Sequence, residues 1–225
     1  MDGSGRWAEA RGLARLDGHR AGERVVRQLV HAAPGLGIGT LTLFAFSSDN
    51  WKRPPAEVAA LLVLLRDFLL DFQHDTAAAG IRIDIIGRRE RLSPDLQQAI
   101  EAALSTTRSG QGLHLRLAID YSARDVILRA ARACAGDAGA DRDGFARALQ
   151  AAQHARFAAP AVDLLIRTGG EQRLSDFLLW ESAYAELYFT AKKWPEFGPA
   201  DLQAAIHEFR ARERRFGCLP RPTHA

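Results

Sequence analysis

At 225 residues, with 47% hydrophobic and 25% charged side chains, the chain has the composition of an ordinary globular protein able to bury a sizeable core. Its net charge of +3 rests on arginine, because Lys52, Lys192 and Lys193 are the only lysines, and the arginines are scattered, which argues against a nucleic-acid partner. Cys134 and Cys218 are too few for a disulfide framework or a zinc site, the apolar stretch from Val58 to Leu65 is far shorter than the roughly 20 residues of a membrane span, and the polar first residues do not read as a signal peptide, so a cytoplasmic protein is expected.

The chain opens on MDGSGRWAEARG, where Asp2 stands beside Gly3, Gly5, Arg6 and Trp7. Glycines let backbone N–H groups approach an anion closely, so this reads as an anion-binding loop. A helical run over 19–33 follows, then a β-like run, GTLTLFAFSS, from Gly39. Pro54 and Pro55 announce a helix over 56–79, IRIDIIG from Ile81 is a second strand, and 92–107 is helical. LHLRLAIDY from Leu113 is the third strand, with helices over 125–135 and 143–153 on either side of a surface loop at 136–144. VDLLIRTGG from Val162 and AELYFT from Ala185 complete the strands, and 199–215 the helices.

Short Ile-, Leu- and Val-rich strands alternating with helices imply right-handed crossovers and an α/β fold, with a mainly parallel central β-sheet surrounded by helices. No linker or repeat divides the chain, so one domain spans 1–217, with 218–225 as a C-terminal tail. In open parallel sheets ligands gather beyond the carboxyl ends of the strands. The polar segments there are FSSDNWKR, DYSARD and RTGGEQRLS, and MDGSGRW would join them.

Arg167, Gly169, Gly170, Arg173 and Ser175 combine guanidiniums, permissive backbone and a hydroxyl, which suits a diphosphate, although a glycine turn with surface arginines has the same pattern. Ser47, Ser48, Asn50, Trp51 and Arg53 form either a second binding segment or a polar loop with a half-buried Trp. Glu186, within an apolar strand, needs a partner, either an arginine or a hard cation shared with Asp2. His19 is a phosphate donor or an exposed helix-start residue, and RERRFG (212–217) reads as a solvated helix end. The chain lacks the Walker G-x-x-x-x-G-K-[ST] pattern and the G-x-S-x-G nucleophile elbow.

Together the strings MDGSGRWA, RLDGHRAG, LTLFAFSSDNWKRP, IRTGGEQRLSDFLLW, AYAELYF and RERRFG resemble the cis-prenyltransferases, typified by undecaprenyl diphosphate synthase, across essentially the whole chain. The resemblance implies a homodimeric enzyme that uses Mg²⁺ to add isopentenyl diphosphate to an allylic diphosphate, farnesyl or geranyl, giving a cis-polyprenyl diphosphate. It touches membranes at most through its product. The resemblance makes Asp2 the carboxylate that handles Mg²⁺ and the leaving diphosphate. Gly3, Ser4, Gly5, Arg6 and Trp7, with Arg15 and His19, become the allylic diphosphate site. Phe46, Ser47, Ser48, Asp49, Asn50, Trp51 and Arg53 become the segment that orders over the reacting ends, with Asn50 assigned to proton removal. Arg167, Arg173 and Ser175 become the isopentenyl diphosphate cradle, and Glu186 a second metal carboxylate. Arg215 and Gly217 match a terminal motif that reaches the partner subunit's site. The helix bearing Val58, Leu61, Leu62, Leu64, Leu65, Phe68 and Leu69 could line an apolar tunnel with a subset of these residues.

The chain departs from the pattern at Ser4, where the family has Asn, at Gln172, where His is frequent, and at Asp120-Tyr121-Ser122-Ala123-Arg124, which replaces N-Y-G-G-R. The loss of two glycines there is expected to stiffen the turn, and Asp120 adds a negative charge. The family also has a hydrophobic strand leading into the Met of M-D-G, so a start upstream of Met1 is expected. The all-helical trans-prenyltransferases, with D-D-x-x-D metal motifs, are excluded because no two aspartates are adjacent. Alternatives are a short-chain cis-prenyl diphosphate synthase and an inactive partner subunit. The retention of Asp2, Arg6, Arg167, Arg173 and Glu186 weighs against the latter.

Overall fold

The computed structural model describes residues 1–136 and 141–213. The five β-like runs form five strands: β1 (Thr40–Ser47), β2 (Arg82–Ile86), β3 (His114–Tyr121), β4 (Leu164–Arg167) and β5 (Glu186–Phe189). Every pairing is parallel, in the orders β1-β3-β2 and β4-β5. Central β3 is buried at all eight positions, as expected of a strand covered on both faces.

The helices are α1 (Ser4–Glu9), α2 (Arg15–Ala32), α3 (Pro55–Ala78), α4 (Pro94–Thr106), α5 (Ala123–Ala133), α6 (Arg142–Ala152) and α7 (Pro199–Ala211). Their starts follow the local chemistry. Pro55 and Pro94 sit in the first turns of α3 and α4, where a missing N–H costs nothing. Ser122 accepts the Asp125 N–H and so starts α5 two residues before the predicted position. α1 escaped the sequence reading because six residues are too few to show a helical period.

The three-stranded sheet divides the core. Leu43, Ile83, Ile85, Leu115 and Leu117 face α2, α3 and α4 in the larger cluster, while Ile86 and Ala118 join Val126 of α5 and Leu149 of α6 in a smaller one. Asp84 is fully buried, and its carboxylate accepts the backbone N–H groups of Arg156 (3.2 Å) and Phe157 (3.4 Å). The five strands are divided between two groups. The second edge of β1 and the second edge of β4 pair with no strand among the described residues, and both line one cavity of about 980 Å³.

Candidate active site

The polar segments converge as their positions at the strand ends require. Residue 2 is stitched to the end of β4: its backbone N–H donates to Thr168 Oγ1 (2.9 Å), and its carbonyl accepts from Thr168 Oγ1 (2.9 Å) and the Trp194 N–H (2.9 Å). The Asp2 carboxylate accepts the Gly3 N–H at 2.6 Å and Arg167 Nη2 at 3.0 Å, with Arg6 Nη2 3.3 Å away. Partial burial raises its pKa, but Arg167, the Gly3 N–H and Arg6 together outweigh this and hold it below the usual carboxylate range. Asp2 is therefore ionised at neutral pH.

Arg167 is only 13% exposed and uses its other terminal nitrogen on Ser175 Oγ (2.6 Å) and the Arg173 carbonyl. Arg6 reaches Glu171 at 3.6 Å, and Glu171 also pairs with Arg173 at 2.5 Å. Three guanidiniums thus face two carboxylates, a local excess of positive charge suited to phosphate oxygens. Gly169 has φ +90°, and a Cβ there would lie 2.9 Å from Arg6 Nη2 and 3.0 Å from the Asp2 carbonyl carbon, so the close approach of the two loops needs glycine.

A second basic group lies beside the first. Glu57 accepts from Arg53 at 3.1 Å and pairs with Arg15 at 3.5 Å, while Arg15 also meets Glu9 at 2.6 Å. His19 lies among them with Nε2 buried and unbonded. Burial, reinforced by Arg53 and Arg15 against Glu57, pushes its pKa down to about 4, so the imidazole is neutral at pH 7. Glu57 escaped the sequence reading, although its place four residues after Arg53 at a helix start was a usable signal.

The segment after β1 is a 3₁₀ turn, 48–52, closed by a reciprocal cap in which Asn50 Oδ1 accepts the Ser47 N–H (3.1 Å) and Ser47 Oγ accepts the Asp49 N–H (3.1 Å). Phe46, Ser47, Asp49, Asn50 and Arg53 line the cavity, whereas Ser48 and Trp51 point to Asp120 and Arg91. The cavity continues from this polar rim along α3, where Leu61, Leu64, Leu65 and Phe68 form one helical face. Val58 and Leu69 are core, and Leu62 is packed against the core.

Other predicted site residues are placed differently. Glu186 pairs with Arg212 at 2.9 Å and lies opposite Leu164, three residues or about 10 Å along β4 from Arg167. The structure thus gives it the arginine partner and does not bring it to Asp2 within one chain. Gly5 packs against Arg15, since a Cβ there would stand 2.7 Å from its guanidinium, and Trp7 lies under Arg11 at 4.4 Å. Ser4 is buried and lines the cavity. Arg215 and Gly217 lie outside the described residues. The DYSAR turn takes its left-handed residue at Asp120 (φ +48°), while Ser122 is extended and Ala123 helical, so the positions without glycine need no glycine here.

A neutral buried His19 has a pH consequence. Its folded pKa of about 4 lies below the usual 6.5, so the unfolded chain binds the extra proton and stability falls as pH drops from about 6.5 towards 4. Urea unfolding at pH 7 and at pH 4.5 checks this, with His19→Gln expected to lose less stability over that interval than the wild type.

The family model described as "Putative undecaprenyl diphosphate synthase" matches residues 1–217. Isoprenyl transferase 1 of Bradyrhizobium diazoefficiens is 53% identical over 219 residues, covering 97% of this chain and 87% of that protein. The isoprenyl transferase of Brucella suis is 47% identical over 96% of this chain and 87% of its own. Among solved structures, lavandulyl diphosphate synthase from Lavandula x intermedia, in complex with dimethylallyl diphosphate, superposes with a TM-score of 0.91 at 36% identity, covering 96% of this chain and 95% of that one. With the arginine-rich mouth and apolar cavity described above, these likenesses make the chain a prenyltransferase that belongs to the undecaprenyl diphosphate synthase family.

Proposed function

We propose that the chain condenses isopentenyl diphosphate with an allylic diphosphate, farnesyl or geranyl, to give a cis-polyprenyl diphosphate. The observation that carries this reading is the juxtaposition of the Asp2–Arg167 cluster with the apolar face of Leu61, Leu64, Leu65 and Phe68 in one cavity. One end suits diphosphates and the other suits a hydrocarbon chain.

Gly3 and the first turn of α1, with Gly5 and Arg6, take the allylic diphosphate, with Arg15 and His19 of α2 behind them. Arg167, Arg173 and Ser175 take the second diphosphate. The allylic C–O bond breaks, the leaving diphosphate gathers charge, and fixed guanidiniums stabilise it. The isopentenyl double bond then forms the new C–C bond to the allylic carbon, and the resulting cation loses a proton to the released diphosphate oxygens. Asn50, on the turn that lines the cavity, positions the isopentenyl unit for that loss. The apolar cavity wall keeps water from the cation.

Among the described residues no group of three or more His, Cys, Asp or Glu side chains could enclose a metal. The ionised Asp2 carboxylate beside a diphosphate cradle nevertheless fits Mg²⁺, which prefers one or two carboxylates together with substrate phosphates. Asp2 would hold the ion, which when bound neutralises charge on the diphosphate. Membership of the family supports a homodimer. The described residues contain no helix long and apolar enough to cross a membrane.

Incubation with Mg²⁺, isopentenyl diphosphate and farnesyl diphosphate should yield elongated cis-prenyl diphosphates on chromatographic sizing. Asp2→Ala and Arg167→Ala should each lower turnover by about 10²-fold or more. No turnover by the unaltered chain would support an inactive-subunit role instead, and full turnover by Asp2→Ala would remove Asp2 from the catalytic machinery. Leu64→Trp, which fills the apolar end, should shorten the products; an unchanged length distribution would place the growing chain elsewhere and favour the short-chain alternative.

A further inference from the structure

Asp120, the last residue but one of β3, is a fully buried carboxylate in left-handed backbone (φ +48°), an uncommon conformation for a residue with a Cβ. Arg91 grips it with two nitrogens, Nε at 3.0 Å from Oδ2 and Nη2 at 2.5 Å from Oδ1. Arg88 Nη2 lies 3.6 Å from Oδ1, and the Arg88 backbone N–H donates to the Asp120 carbonyl at 3.1 Å. The Ser48 hydroxyl donates to Oδ1 at 3.2 Å and accepts from Arg88 Nη2 at 3.0 Å.

Ser48 is the first residue of the 3₁₀ turn that carries Asn50 and Trp51. The Arg91 guanidinium, besides gripping Asp120, lies 4.9 Å over the Trp51 ring, and that ring meets Phe46 edge-on at 5.6 Å. One carboxylate therefore reaches the turn at two points, directly at Ser48 and through Arg91 at Trp51. Neutralising a buried charge requires only the guanidiniums; the bond to Ser48 adds an element that no charge balance demands. An amide at this position could bond some of these donors but could not neutralise two guanidiniums.

We propose that Asp120 is a positioning residue for prenyl transfer, which with Arg88 and Arg91 clamps residues 48–52 so that Asn50 is held at the cavity before substrate arrives. This rests on the function proposed above, and the role is exerted through the turn, because Asp120 itself does not line the cavity.

The test uses the full chain and the variants Asp120→Asn, Arg91→Gln and the double variant. Backbone hydrogen exchange is read in peptides covering 47–53 and 114–121, and kcat and KM are measured with farnesyl and isopentenyl diphosphates. Asp120→Asn should speed exchange in 47–53 by about tenfold and leave 114–121 protected. It should lower kcat by about tenfold, with KM for farnesyl diphosphate, whose diphosphate is taken by Arg6, Arg15 and His19 and not by residues 48–52, within about twofold. The double variant should be no slower than Asp120→Asn alone, as expected of one coupled unit. Unchanged exchange in 47–53, or unchanged kcat, would overturn the proposal. So would equal loss of protection in both peptides, which marks a merely structural charge. Should Asp120→Asn fail to fold, Arg91→Gln reads the same link from a side chain 42% exposed, with the Ser48 and Arg88 contacts intact. A wild type without turnover overturns the functional reading and this role with it, whereas turnover without the exchange effect overturns this inference alone.

Discussion

The active site depends on the join between residue 2 and the end of β4. Two stretches of chain separated by 165 positions meet there through the Asp2–Arg167 ion pair, and Thr168 and Trp194 fix the Asp2 backbone beside it. Trp194 in turn donates its indole N–H to the Gly22 carbonyl at 2.9 Å, which ties the join to α2. At Gly18 of the same helix a Cβ would stand 2.0 Å from the Ser4 carbonyl oxygen, so α1 rests directly on the α2 backbone. Asp2 with α1, the end of β4 and the first turns of α2 thereby become one rigid body, and preorganised charge is what transition-state stabilisation requires.

Charge around that join is graded. The Arg6–Arg167–Arg173 group is one carboxylate short of its guanidiniums, an excess of positive charge that suits phosphate oxygens. The neighbouring Arg15–Arg53 group shares Glu57, with Glu9 on Arg15, so it is nearly balanced and holds its arginines in place for a ligand. His19 lies between these groups as a neutral ring, because a third positive charge beside Arg15 and Arg53 would be repelled and poorly solvated. It can thus donate a hydrogen bond to a phosphate without adding to the repulsion.

Much of this was legible in the sequence, for a physical reason. The strands are short apolar runs, and the polar segments just past their ends, where parallel-sheet geometry gathers them, offered Asn50, Arg167 and Ser175 as candidates; the structure brings these three to one cavity. Partners chosen by tertiary contact were hidden. Arg91 reaches Asp120 across 29 positions and Ser48 reaches it across 72, and no local period encodes either. Glu186 shows the other kind of gap: its residue type allowed an arginine or a cation, and only its register at the start of β5 and the return of α7 give it Arg212. The split of the strands into two groups was equally invisible, because pairing partners depend on which edges meet in space.

The helix after the 48–52 turn links the polar and apolar ends. Arg53 and Glu57 occupy its entrance and first turn, at the charged group, and Leu61, Leu64, Leu65 and Phe68 follow on the cavity side one to three turns later. A single rigid α-helix therefore sets the spacing between the diphosphate-binding mouth and the wall that receives the hydrocarbon. Since α3 packs into the main core through Phe68, Leu69 and Phe72, that spacing cannot change without repacking the core. On the proposed function, the side chains on the inner face of α3 can vary the room for a product without any change in the geometry of the mouth.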